Sequence, residues 1–216
     1  MRRNEIRTKR MIISPMDDGE IEDLIENAES SELRSAYEEM LAGCKKEPDK
    51  RIWYAPWKMV LKSSQKYVGD LCFKGPVRKN AVEIGYGILP EYEGNGYATE
   101  AVSKMTKWAF FQKGILFVEA ETIPENKRSQ RVLEKVGFVS NGTGKEGPRF
   151  ILEKPLPEWT TSFMCFGMSI GMAIGAFQNE MVIGMAIGMS IGAVFGMIYE
   201  REAKKQRENL MEKKRN

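Results

Sequence analysis

Glu83-Ile84-Gly85-Tyr86-Gly87-Ile88-Leu89-Pro90-Glu91-Tyr92-Glu93-Gly94-Asn95-Gly96-Tyr97-Ala98-Thr99-Glu100 is the stretch on which the reading of this chain turns. Residues 83–89 read as a strand cut by two glycines, Pro90 and residues 91–96 as a loop, and residues 97–112 as a helix. In that helix Ala98, Ala101, Val102, Met105 and Ala109 recur at helical spacing, and Gly114 stops it. A Gly-x-Gly loop between strand and helix presents successive backbone N–H groups at the positive end of the helix dipole. That is an anion site suited to a pyrophosphate. Glycine is needed there because a phosphate must approach the backbone closely. Taken alone, the same residues also read as a tight loop with two turn glycines. A dinucleotide fingerprint requires a third glycine where Thr99 stands, and a nucleotide P-loop requires Lys-Ser or Lys-Thr after the last glycine.

Outward from the loop, residues 115–122 form a strand, residues 126–136 a helix closed by Gly137, and residues 138–140 and 149–152 two further strands. Upstream, residues 57–62 and 67–73 are strands joined by the turn Ser63-Ser64-Gln65-Lys66. Before them come helices over 17–27, with Ile21, Leu24 and Ile25 on one face, and over 31–44, with Ser31 as cap. Residues 11–13 form the entering strand. Several strands followed by strand–helix–strand–helix–strand predict an α+β fold, a mixed sheet with a central crossover rather than a doubly wound repeat.

The 216 residues leave room for one ordinary domain and an appendage. The net charge of +3 lies in residues 200–216, which carry seven Lys and Arg against four Glu. Nothing before residue 200 therefore points to nucleic acid. The chain has no histidine, which removes His-dependent hydrolases and most zinc sites, and no metal is expected. Cys44, Cys72 and Cys165 are unpaired and widely spaced, as in a reducing compartment. The charged Met-Arg-Arg-Asn-Glu start has no apolar stretch behind it, so no signal peptide is expected.

Residues 67–152 resemble the GCN5-related N-acetyltransferase (GNAT) family, nearest its ribosomal-protein N-terminal acetyltransferase branch. The matching stretches are Val68-Gly69-Asp70-Leu71-Cys72-Phe73, the 83–100 segment, Asn126-Lys127-Arg128-Ser129 and Leu133-Glu134-Lys135-Val136-Gly137-Phe138. With the N-terminal strand and helices the resemblance spans roughly residues 8–155. One departure is Glu91, where the family's loop begins with Arg or Gln.

The resemblance implies a mostly antiparallel sheet flanked by helices and acetyl transfer from acetyl-CoA to a primary amine, either a protein N-terminus or a small molecule. Gly94, Asn95, Gly96, Tyr97, Ala98 and Thr99 would cradle the pyrophosphate. Ile88 and Leu89 would bond the pantetheine arm, a backbone N–H near Ile88 would hold the oxyanion, and Asn126 and Ser129 would face the thiol end. Asn126 also reads as a helix cap. The amine must lose a proton before attack, and Glu83 is the candidate base, with Glu119 and Glu121 as alternatives. Glu83 also reads as a solvent-facing strand carboxylate. Ser129 would protonate or position the departing thiolate. Trp53, Tyr54 and Trp57 either line an acceptor pocket or belong to the core.

After Glu158 the composition changes. Residues 159–199 hold one formal charge, Glu180, and glycines recur every fourth position at 167, 171 and 175, then at 184, 188, 192 and 196. Two apolar segments, 159–177 and 181–199, flank Gln178-Asn179-Glu180. As helices each spans about 28 Å, close to the ~30 Å of a bilayer core. Glycines four apart suit close helix packing, and the basic residues beyond 200 favour a cytoplasmic end. The expected organisation is a catalytic domain over 1–157, a glycine-zipper hairpin over 158–199 and a basic tail over 200–216. It would be held at the inner face of the cell membrane with the acetyltransferase in the cytoplasm. Self-association into a homo-oligomer through the glycines is the rival reading of the hairpin. For the whole chain, the rival is a non-catalytic acyl-CoA-binding membrane or oligomerisation protein.

Overall fold

The computed structural model describes residues 5–215. The chain divides into two compact units, Met1–Lys154 and Pro155–Asn216. In the first, eight strands form one mixed sheet: β1 (Ile6–Arg7), β2 (Met11–Pro15), β3 (Trp57–Leu61), β4 (Tyr67–Phe73), β5 (Ala81–Ile88), β6 (Phe117–Glu121), β7 (Val139–Thr143) and β8 (Pro148–Glu153). Their order across the sheet is β1-β2-β3-β4-β5-β6-β8-β7, and every neighbouring pair is antiparallel except β5 and β6. That parallel pair needs a crossover, which α3 (Tyr97–Phe111) supplies. The α+β expectation with a central crossover is met.

Alternation along the strands divides the sheet into two faces. Trp57, Met59, Leu71, Phe73, Val82 and Ile84 point to one face and are buried there with Ala101, Val102, Met105 and Ala109 of α3 and Leu133 of α4 (Lys127–Val136). On the other face lie α1 (Asp18–Glu26) and α2 (Ser31–Lys46), with Ile21, Tyr37, Leu41 and Cys44 in a smaller cluster. Trp57, fully buried, lies 5.1 Å from Trp108, and Trp53 lies 5.1 Å from Phe73. These two tryptophans are therefore core and line no acceptor pocket. Tyr54 donates its hydroxyl to Glu47, 2.6 Å away.

Several local details differ from the sequence reading. The cap of α2 is Ser30, whose Oγ accepts the Leu33 N–H, so Ser31 is already helical. A capping box between Asp17 and Glu20 starts α1. Residues Pro48–Trp53 form a 3₁₀ helix, and β1 is too short to leave a periodic signal. Of the alternative bases, Glu121 is structural. Its side chain is 6% exposed and accepts from Arg149 Nε at 2.8 Å and from the Glu146 N–H at 3.2 Å. Burial opposes its charge, but the Arg149 guanidinium and the Glu146 amide hold the carboxyl below its usual range.

A group with a lowered folded-state pKa adds stability above its unfolded pKa and loses it as pH falls through the folded value. Glu121→Gln is expected to lower the thermal midpoint at pH 7 by roughly 5 °C, for a loss of about 2 kcal/mol. The difference from wild type should shrink on acidification below about pH 4. Scanning calorimetry at both pH values checks this, and a midpoint gap that stays constant with pH would count against the ion pair.

In the second unit, α5 (Trp159–Phe177) and α6 (Met181–Arg215) run antiparallel, reversing at residues 178–180. The glycines lie between the two helices. A Cβ added at Gly171 would stand 2.0 Å from the Gly184 carbonyl oxygen, and one at Gly188 would stand 2.0 Å from that of Gly167. Only hydrogen fits, so backbone meets backbone. Large apolar side chains such as Phe166, Ile170, Val182 and Ile187 face outward. At the open end Phe163 stacks on Tyr199 at 5.3 Å with Trp159 beside them, and Glu200 accepts the Thr160 N–H. α6 continues past Tyr199 because Glu, Arg, Ala and Lys all favour helix and nothing breaks it.

Candidate active site

β5 and β6 pair only from Ala81↔Phe117 to Glu83↔Glu119. Beyond that point β5 runs on to Ile88 hydrogen-bonded to β4 alone, while β6 turns to β8, so the two parallel strands part. Lys74 donates its backbone N–H to the Glu83 carbonyl, and by the alternation of an antiparallel ladder Gly85 and Gly87 also bond toward β4. The Ile84 N–H is used in the pairing of Glu83 with Glu119, so the Ile84 C=O and the backbone N–H and C=O groups of Tyr86 and Ile88 turn into the gap. Ile88, expected to contact the pantetheine arm, lies on this open edge. The Leu89 N–H goes to the Val68 carbonyl and its own carbonyl accepts from Tyr92, so its backbone groups already have protein partners. Tyr86, whose backbone faces the gap, was missed because the direction of a backbone group depends on the pairing partner.

At the end of β5 the chain passes through the short 3₁₀ turn Pro90–Tyr92 to Gly94 and Gly96, with φ of 75° and 77°, and then into α3. Gly96 is the N-cap and has no side chain to satisfy the helix start. Among the described residues the N–H groups of Gly94, Asn95, Gly96, Tyr97, Ala98 and Thr99 donate to no protein acceptor. Six successive unspent donors at a helix N-terminus are the physical requirement for binding a pyrophosphate, so the loop fits that group.

A cation comes from elsewhere in the chain. Arg10, just before β2, donates Nη1 to the Asn95 carbonyl (2.9 Å) and Nε to Glu100 (2.7 Å), and its guanidinium lies 4.4 Å over the Tyr97 ring. Tyr97 is thus a platform for Arg10. No local pattern marked Arg10, which is far from the loop along the chain. Arg128 is tied to Glu93.

Asn126 caps α4 by accepting the Ser129 N–H at 2.9 Å, so its side-chain oxygen is already in use. Ser129 Oγ lies 2.8 Å from the Tyr86 hydroxyl, which places Ser129 beside β5. Burial raises the pKa of Tyr86 and keeps its hydroxyl protonated. Glu83 lies on the face opposite the main core, with Gly85 and Gly87. Its Oε1 is 2.8 Å from Lys74 Nζ, and its side chain is 28% exposed. Burial works against the charge on Lys74, but Glu146 and Glu83 hold its pKa above the usual range. Glu119 is the register partner of Glu83 and shares this face.

Two more groups stand on the same face of β4. Cys72 is buried opposite Gly85, and burial chiefly pushes its thiol up to about 12, which leaves it a neutral, inert group. Asp70, the partner of Gly87, accepts at Oδ2 from the hydroxyls of Tyr37 (2.8 Å) and Tyr67 (2.7 Å). Burial raises the pKa of Asp70, and these hydrogen bonds oppose that shift.

Residues 5–139 match the acetyltransferase (GNAT) domain family. The uncharacterized N-acetyltransferase YoaA of Bacillus subtilis is 32% identical over 87 residues, covering 40% of this chain and 49% of that protein. The chain thus spans about half the length of curated relatives it matches. The fold is shared with a GNAT-family acetyltransferase from Bacillus anthracis. The two are 23% identical with a TM-score of 0.52, over 69% of this chain and 98% of the other. It is also shared with the ribosomal-protein-S5-alanine acetyltransferase of Vibrio fischeri, at 18% identity and a TM-score of 0.56, over 72% and 98% of the respective chains. With the parted strands and the donor-rich loop between β5 and α3, that match across most of the first unit means the chain belongs to the GNAT acetyltransferase family.

Proposed function

We propose that the protein transfers the acetyl group of acetyl-CoA to a primary amine by direct attack, while tethered to a membrane through residues 159–199. The observation that carries the transfer reading is the row of six unspent N–H donors leading into α3, next to a strand edge open at Tyr86 and Ile88. When bound, acetyl-CoA supplies the activated acetyl thioester. The backbone donors of residues 94–99 hold its pyrophosphate, with Arg10 keeping the loop in shape and adding positive charge. The Ile88 N–H and its neighbours in the gap orient the carbonyl and stabilise negative charge on its oxygen.

The amine must shed a proton, since alkyl ammonium groups are charged near neutrality. Gly85 and Gly87 leave a floor free of side chains beside Glu83. An amine resting there lies within one or two waters of the carboxylate, which takes the proton. Ser129 Oγ, held by Tyr86, positions or protonates the departing thiolate, and Asn126 sets the helix start that carries it. No covalent enzyme intermediate is required. The Vibrio fischeri fold relative is described as a ribosomal-protein-S5-alanine acetyltransferase, so peptides belong in the acceptor panel with small amines.

The hairpin supports the membrane reading. α5 and α6 are each long and apolar enough to span a bilayer, and they leave bulky apolar side chains outward. Trp159 and Tyr199 sit together at the end next to the charged residues, where interfacial aromatics belong. The glycines are spent between the two helices, which favours a lipid-facing exterior over a glycine-mediated contact between copies.

The test is acetyl transfer by the full chain in detergent micelles. Acetyl-CoA would be offered with spermidine, an aminoglycoside, or peptides beginning with serine or alanine. Transfer to at least one amine is expected, and Glu83→Gln should lower kcat by ~10²–10⁴ with the KM for acetyl-CoA unchanged. Unimpaired turnover by Glu83→Gln would remove Glu83 as the base. Tight acetyl-CoA binding with no transfer to any amine would favour the non-catalytic, acyl-CoA-binding reading.

A further inference from the structure

Asp70 is a carboxylate without a countercharge. It stands on β4 directly across from Gly87, at the end of β5 where Ile88 turns its N–H into the gap, and on the face shared by Glu83, Gly85 and Gly87. A hydrogen-bonded antiparallel pair puts the two Cα atoms about 5.5 Å apart. The space above Gly87 is open, since a Cβ there would have no heavy atom within 4 Å.

Two lysines neighbour Asp70 on this face, and both are committed elsewhere. Lys58, its register partner on β3, pairs with Glu20 of α1. Lys74, four residues along β4, pairs with Glu83 and Glu146. Both phenolic donors, from Tyr37 and Tyr67, converge on Oδ2. Among the described residues Oδ1 receives no hydrogen bond, and it is not sealed from solvent. A half-buried carboxylate normally gains a cation or a full set of donors, and this one has neither.

We propose that Asp70 Oδ1 binds a positive charge of the acceptor over Gly87, which makes the acceptor a cationic amine. The inference rests on the acetyl-transfer reading above and names the acceptor chemistry of that same site. Tyr37 and Tyr67 position the carboxylate from α2 and β4, so that its free oxygen stays turned away from them. A neutral or anionic acceptor would leave the charge on Asp70 uncompensated.

The test uses the full chain in micelles with acetyl-CoA and, as probe amines, spermidine and a peptide with a free N-terminal serine. Initial rates give KM and kcat, and calorimetry gives the acetyl-CoA Kd. Asp70→Asn is expected to raise the amine KM at least tenfold, with kcat within threefold of wild type and the acetyl-CoA Kd unchanged. Tyr37→Phe and Tyr67→Phe, which keep the carboxylate, should raise KM less than threefold. If Asp70→Asn leaves the amine KM within twofold, or only lowers the thermal midpoint as the tyrosine variants do, Asp70 is a pin for α2 and the proposal is overturned. If the wild type binds acetyl-CoA but acetylates neither probe, the acetyl-transfer reading fails first and this one falls with it.

Discussion

Gly96→Val is expected to weaken acetyl-CoA binding at least a hundredfold in a calorimetric titration of the full chain. Gly96 is the N-cap of α3 with φ near 77°, a conformation that costs a side-chain-bearing residue about 1–2 kcal/mol, and most for a β-branched one. Its Cβ would also stand 3.6 Å from Arg10 Nη2, so the branched side chain presses on the group that braces the loop. Relaxing either strain rotates the peptide units on both sides, and the donors of residues 94–99 no longer converge on one point. A hundredfold loss corresponds to about 2.7 kcal/mol, which two or three misdirected charge-assisted hydrogen bonds account for. Gly94→Ala provides the graded comparison. Its Cβ would meet nothing within 4 Å, so only the backbone cost applies and a loss nearer tenfold is expected. A thermal midpoint within a few degrees of wild type shows that the fold survives. Full affinity in Gly96→Val would mean that the pyrophosphate binds elsewhere.

The second large effect is expected in the hairpin. The full chain should sediment with phospholipid vesicles and stay in the pellet through an alkaline carbonate wash, because two apolar spans with no charge except Glu180 cannot be solvated by water. α5 and α6 are held by close backbone packing, to which any side chain at the glycine positions is fatal. At Gly188 even a Cβ would reach 2.0 Å from the Gly167 carbonyl oxygen, so leucine there must drive the helices apart by several ångströms. The Phe163 and Tyr199 rings, 5.3 Å apart, mark the open end. With cysteines at those two positions and Cys165 changed to serine, a short bifunctional thiol reagent should join the helices nearly completely. Adding Gly188→Leu should cut the yield at least tenfold. Release of the chain by carbonate would overturn the membrane-spanning reading. An unchanged cross-linking yield in the leucine variant would show that the glycines do not set the helix contact.

Much of the fold was legible in local pattern. The alternation of 67–73, the helical spacing from Ala98 to Ala109 and the stop at Gly137 each encode an element through the residues within it. These signals survive because the burial that selects them repeats at the period of the element itself. Shorter features escaped. β1 has two residues, and Ser30 and Ser31 are equivalent caps until the backbone chooses between them. The role of Trp53 and Trp57 also stayed open, since an aromatic residue suits a core and a pocket equally. Packing against Phe73 and Trp108 decided for the core.

For the site the division is sharper. The 83–100 segment by itself specified a strand, a glycine loop and a helix start with donors for an anion, because all three depend on residues adjacent in the chain. The four-residue glycine spacing likewise marked two helices able to approach closely. Only the tertiary structure decided which backbone groups face the gap, because that depends on β5 pairing with β4 from Glu83 to Ile88 and with β6 only as far as Glu83. In the same way it put Glu83 beside Lys74, spent Glu121 on Arg149, brought Arg10 to the loop, and left Asp70 with two tyrosines and no cation. Each of these is a contact between residues distant in sequence. The energy of a charge or a hydrogen bond is set by the partner and by the water excluded around it, and no local stretch of chain carries that information.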